Sequence, residues 1–193
     1  MHDARGIANY LLDRAAQMGV PITSMTLLKV LYFAHAWHMA KFNSELVAQP
    51  FEAWQYGPVN RVVYEQIKQF GARPIVGRLN SFDPVVCKYV EAKSSVPDMT
   101  GQFLNHIFDY YSQFHAFTLS DLTHERGSPW DAIWQKAERE AVPGMIIPNH
   151  LILEWFRGTG GAMRNQMLDE GIPYDGPAYS RRARSSSRSG FDG

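Results

Sequence analysis

Residues 23–42 read TSMTLLKVLYFAHAWHMAKF, and this stretch decides the fold. Met25, Leu27, Leu28, Val30, Leu31, Tyr32, Phe33, Ala34, Ala36, Trp37, Met39 and Ala40 leave no wide polar face. A helix from Thr23 or Ser24 to Phe42 that is apolar nearly all round has to be the central, buried element. Its neighbours must then supply amphipathic faces. Residues 3–18 do so: Asp3 is placed to cap a helix in which Ile7, Tyr10, Leu11, Ala15 and Met18 recur at helical spacing, before Gly19 and Pro21 end it.

Downstream, Phe51 and Ala53 alternate with Glu52, Trp54 and Tyr56 as in a short edge strand, and Gly57 turns the chain. Pro58 suits the first turn of a helix running through Val62, Val63, Ile67 and Phe70 to Gly71. Between 72 and 97 two readings stand open. The runs Pro74 to Leu79 and Val85 to Val90 form two short strands, or Asp83-Pro84 begins a helix in place of the second. A continuous stripe of Phe103, Leu104, Ile107, Phe108, Tyr111 and Phe114 predicts a helix from Asp98. A turn-helix through Leu119 and Leu122 follows. Ser128-Pro129-Trp130 caps and opens another to about Glu140, and Pro148 starts a last one through Leu151, Ile152, Trp155 and Phe156 to Gly158. The expected architecture is mainly α: a single domain over 1–158, about six helices around the central one, with a small antiparallel β element near 50–56. From 159 to 193 periodicity disappears and Gly, Ser and Arg take over, which predicts a mobile tail.

The 193 residues are 45% hydrophobic and 20% charged, enough apolar material for a core of ordinary size. A single cysteine, Cys87, excludes an intramolecular disulfide and a thiolate zinc site. No apolar run approaches the roughly 20 residues of a membrane span, and the N-terminus lacks a secretory pattern, so the expectation is a cytoplasmic protein with no membrane partner. Nineteen basic and nineteen acidic residues cancel, but Arg181, Arg182, Arg184 and Arg188 lie together in the tail without an acid. Without these four the chain carries 15 basic against 19 acidic residues, about −4, which argues against a nucleic-acid footprint on the body. The four arginines remain candidates for weak, salt-sensitive nucleic-acid contact, for docking to a protease, or for no role beyond a solvated terminus.

Chemistry-bearing constellations are sparse. His35 and His38 stand at i and i+3, but no third ligand is evident, and neither Glu-x-x-His nor His-Glu-x-x-His occurs. No metal or cofactor is expected. His124, beside Glu125 and close to Ser120 and Asp121, reads better as a helix-end knot closed by Trp130 than as part of a triad. The nucleophile elbow, the P-loop and the dinucleotide fingerprint are absent. A non-enzymatic protein without a small-molecule substrate is the expectation. Twenty-five aromatic residues are the remaining excess. Most fill the core, but Trp54, Tyr56, Arg61 and Tyr64 are of the types that dominate binding hot spots and make a candidate partner surface. That a second layer covers them stays open.

Four segments together carry a resemblance: Leu28-Lys-Val-Leu-Tyr-Phe33, Phe51-Glu-Ala-Trp-Gln-Tyr-Gly-Pro-Val59 with Val63-Tyr64, Leu119-Ser-Asp-Leu-Thr-His124, and Pro129-Trp130. In this order they resemble the Panacea-domain antitoxin family, whose members include phage-associated GepA-like proteins, and within it the SocA-like proteolytic-adaptor antitoxins, over residues 5 to 157. The resemblance implies an antitoxin that binds a toxin encoded beside it, a SocB-like protein, and hands it to the ClpXP protease. Blocking without degradation, or autorepression on DNA, are the alternatives. Toxin contact is then expected at Trp54, Tyr56, Pro58, Arg61, Tyr64, His124 and Trp130.

Overall fold

The computed structural model describes residues 1–93 and 95–158, and the predicted tail with its four arginines lies outside them. The order is α1 (Ala4–Met18), α2 (Ser24–Phe42), β1 (Phe51–Trp54), β2 (Gly57–Asn60), α3 (Arg61–Ile67) with a 3₁₀ turn at Lys68–Phe70, β3 (Asn80–Asp83), β4 (Lys88–Glu91), α4 (Asp98–Tyr111), α5 (Ala116–Thr123), α6 (Pro129–Glu140), β5 (Ile146–Ile147) and α7 (Asn149–Gly158). The described residues thus hold seven α-helices, the central one and six others as the sequence suggests, and the class is mainly α with small antiparallel sheets.

Helix α2 is central. Every residue from Leu27 to Ala40 is buried, and α1, α3, α4, α5, α7 and β2 pack around it. Thr23 caps its start by accepting from the Thr26 amide. Within the core Phe33 stacks on Tyr111 at 4.2 Å, and the indole N–H of Trp37 donates to the Tyr111 hydroxyl at 2.8 Å, so two large rings of different helices lock in register without leaving a polar atom unserved. The predicted caps are present: the Asp3 carboxylate accepts from the Arg5 amide, Gly19 closes α1 at φ 67°, and Ser128 accepts from the Asp131 amide. Arg14 binds Asp109 through two hydrogen bonds of 2.8 and 2.6 Å, tying α1 to α4.

The β regions require three corrections. Pro58 does not open a helix. It lies in β2, paired with Ala53 across a hairpin, and α3 starts only at Arg61. The sheet order is β2-β1-β5, so β2 is an edge, where a residue without an N–H fits a ladder, and β1 is the middle strand rather than an edge. The third correction is to the run from Pro74 to Leu79, which is no strand: Pro74 makes one isolated bridge to Thr23, and the Ile75 amide donates to the Ile22 carbonyl. Strands form instead at 80–83 and 88–91, because the Asp83 carboxylate accepts from the Val85 and Val86 amides and turns the chain there, which also removes the helical alternative.

Candidate functional site

The β1–β2 hairpin stands over a polar corner of the core formed by Lys29, Ser120 and Thr123. Phe51 and Ala53 point inward, Glu52 and Trp54 are half-buried on the other face, and the turn residues Gln55 and Tyr56 are exposed, Tyr56 by 57%. Gly57, at φ 97°, supplies the left-handed step that closes the turn.

Three alternate carbonyls of this hairpin are held by side chains from three helices. The Trp54 carbonyl accepts from Trp130 Nε1 at 2.8 Å, Tyr56 from Ser120 Oγ at 3.0 Å, and Pro58 from Lys29 Nζ at 3.0 Å. These donors belong to α6, α5 and α2. Thr123 closes the same corner, its hydroxyl donating to the Ser120 carbonyl at 2.7 Å. The fit beneath Gly57 is tight: a Cβ there would lie 2.5 Å from Thr123 Oγ1 and 2.7 Å from Lys29 Nζ. Lys29 is 1% exposed, and burial pushes its ammonium down to about 7.

Outside the clasp, Trp54 donates its indole N–H to Glu52 Oε2 at 2.8 Å and meets Tyr64 edge-on at 4.8 Å. Arg61, 66% exposed, reaches within 4.0 Å of Glu52 Oε1. Glu52, Trp54 and Arg61, together with Gln55, Trp134 and Gly144, line a groove of about 450 Å³. His124 stacks on Trp130 at 3.8 Å, and Trp130 stacks on Trp134 at 5.4 Å, so the rings form a continuous aromatic column behind the hairpin. Desolvation and then the nearby Lys29 charge hold His124 below the usual imidazole range, which disfavours a second positive charge in this corner.

The predicted contact residues therefore divide. Tyr56 and Arg61 are exposed, Trp54, Tyr64 and His124 are half-buried, and Pro58 and Trp130 are buried supports. The His124 backbone N–H caps α5 on the Asp121 carbonyl, and the Ser120 hydroxyl proton is engaged by Tyr56, so the sequence neighbours Ser120, Asp121 and His124 serve the helix end and the hairpin. The sequence reading missed Lys29 as a site residue. A lysine in the middle of a helix apolar nearly all round, away from the last-turn Lys41, was the available signal. His35 accepts from the Val47 amide at Nδ1 and so presents Nε2–H to Asn149 Oδ1 at 3.2 Å, while burial pushes its imidazole down to about 4. His38 donates from Nδ1 to the Ser44 carbonyl at 2.8 Å. Among the described residues no group of three potential metal ligands occurs, and no helix is long and apolar enough to cross a membrane.

A second hairpin, β3–β4, is held at its base by Asn9, whose side chain accepts from the Leu79 amide and donates to the Leu79 and Ala92 carbonyls. Its far end exposes Phe82, Val85, Val86 and Tyr89.

Compared with known proteins, residues 27–131 match the family described as antitoxin SocA-like, Panacea domain. The antitoxin SocA of Caulobacter vibrioides (strain NA1000 / CB15N) is 31% identical over 155 residues, which cover 80% of this chain and 82% of that protein. No solved structure matches the chain.

Proposed function

Because the chain belongs to the SocA-like Panacea-domain antitoxin family, we propose that it captures a cognate toxin on the β1–β2 hairpin tip and delivers it to the ClpXP protease. The observation that carries the capture step is the clasped tip. Three donors from three helices hold the backbone of residues 54–58, so Tyr56 and the Trp54 groove are presented without an ordering cost at the moment of binding. Preorganised aromatic side chains with an adjacent arginine are the composition of a binding hot spot. Pro58 and Trp130 act from beneath, as supports.

Delivery requires a second surface. An adaptor that holds substrate and protease at once turns a bimolecular encounter into an intramolecular one, with gains of about 10² to 10⁴. The tail arginines Arg181, Arg182, Arg184 and Arg188 are our candidates for the protease contact. The toxin is a SocB-like protein encoded beside this chain, and the work takes place in the cytoplasm without catalysis by this chain.

The test is the half-life of the neighbouring gene's product in cells with and without this chain, in a background where ClpXP can be switched off. Loss of the product only when both are present supports delivery. A product that stays stable yet harmless in a complex makes this a blocking antitoxin. A product whose level and toxicity ignore this chain overturns the proposal.

A further inference from the structure

We infer that Lys29 is a positioning residue for partner capture: buried in α2, it acts through the Pro58 carbonyl to hold the hairpin tip, although it is itself out of reach of any partner. The inference rests on the capture reading above and adds to it a residue whose role is distinct from stability.

Its placement is unfavourable for the core alone. A lysine that is 1% exposed, in a helix buried along most of its length, gives up the hydration of its ammonium, a penalty that a methionine of similar size avoids. The side chain nevertheless ends where the tip needs a donor. Nζ is 3.0 Å from the Pro58 carbonyl and lies directly beneath Gly57, beside Thr123 Oγ1. Pro58 offers no N–H, so its carbonyl is the main-chain group by which the core can grip this residue. Ser120 and Trp130 grip the Tyr56 and Trp54 carbonyls, and the three contacts fix consecutive alternate peptides of the tip. Removing Lys29 releases one of these, and with it the seat of Gly57 on the core.

The experiment compares the full-length wild-type chain with Lys29→Met. Three quantities are read: the melting temperature, the amide hydrogen exchange of Gln55, Tyr56 and Gly57, and the affinity for the neighbouring gene's product. The expected result is a melting temperature within a few degrees of wild type, because the unpartnered Pro58 carbonyl offsets the relief of the buried ammonium, with faster exchange at the tip, the α2 amides unaffected, and about tenfold weaker capture, the worth of one hydrogen bond to a charged donor. A residue that served stability alone would instead change capture only in step with melting temperature. Unchanged tip exchange and unchanged capture in a folded Lys29→Met chain overturn the inference. If Lys29→Met fails to fold, Ser120→Ala is measured in the same way, and tip exchange indifferent to the loss of that donor overturns the clasp. If the wild-type chain captures nothing, the capture reading fails on its own, and the exchange comparison still decides whether Lys29 positions the tip.

Discussion

Substituting Gly57 by alanine attacks the site at its tightest point, and its cost can be worked from two sources. The first is the backbone: Gly57 has φ 97°, a region that L-residues enter at about 1–3 kcal/mol. The second is contact. The new methyl group would lie 2.5 Å from Thr123 Oγ1 and 2.7 Å from Lys29 Nζ. Turning the Thr123 hydroxyl aside breaks its bond to the Ser120 carbonyl, and withdrawing Lys29 abandons Pro58, so relief adds a further 1–3 kcal/mol, the usual range for overpacking. Gly77 separates the two sources, because it has φ 92° but nothing within 4 Å of its virtual Cβ. Gly77→Ala therefore carries the backbone cost alone. Urea unfolding followed by tryptophan fluorescence and circular dichroism should show Gly57→Ala losing about 2–6 kcal/mol, against a typical domain stability of 5–15 kcal/mol, and Gly77→Ala losing about 1–3 kcal/mol. Equal losses in the two variants would refute the argument that Gly57 is seated against Lys29 and Thr123.

Tyr56→Ala, alone or with Trp54→Ala, is expected to leave the melting temperature within a few degrees of wild type but to weaken toxin capture by at least about 2 kcal/mol, roughly thirtyfold, in a titration followed by calorimetry. Undiminished capture by the folded double variant would remove the tip from the interface. Deleting 180–193 should leave capture intact, and slower turnover of the captured toxin would then assign the protease contact to the tail arginines. His35 predicts acid sensitivity with a defined sign. Its ring stays neutral in the folded chain down to about 4, while the unfolded chain takes up the proton near 6.5. Stability is therefore complete above pH 6.5 and falls by about 3 kcal/mol between pH 6.5 and 4. Urea unfolding of wild type and His35→Gln across that window checks this, and identical pH dependence in the two would show that His35 is not responsible.

The helical frame was legible because its signals are local. The all-round apolar run of 23–42, Asp3 before α1, Gly19 after it and Ser128-Pro129 before α6 each state a helix boundary within a few residues, and the structure uses all of them. The strands failed where the deciding partner is distant. Gly57-Pro58 reads locally as a helix start, and only pairing with β1, together with the grip of Lys29, Ser120 and Trp130, makes it a hairpin. Two-residue β5 has no period to detect and exists because β1 has a free side. Strands β3 and β4 moved relative to the apolar runs because the Asp83 side chain binds the amides of Val85 and Val86 and spends those residues on a turn. At the site, residue types pointed to Tyr56, Arg61 and Trp54, but nothing local distinguishes Trp130 as a buried donor from Trp130 as a contact. Lys29 was legible only as an anomaly, a charge in the middle of an apolar helix whose other lysine, Lys41, sits in the last turn.

The clasp also has an order in time. Its hairpin is complete in sequence by Asn60, but its donors are scattered to residues 29, 120 and 130, and the strand that flanks β1 arrives only at Ile146. At about 5–20 residues per second, a nascent chain emerging from synthesis lacks two of the three donors for several seconds before Ser120, Trp130 and finally β5 secure the tip. On the capture reading proposed above, unfinished chains lack a formed recognition surface, and a product that stops before α5 has Trp54 and Tyr56 without the Ser120 and Trp130 donors.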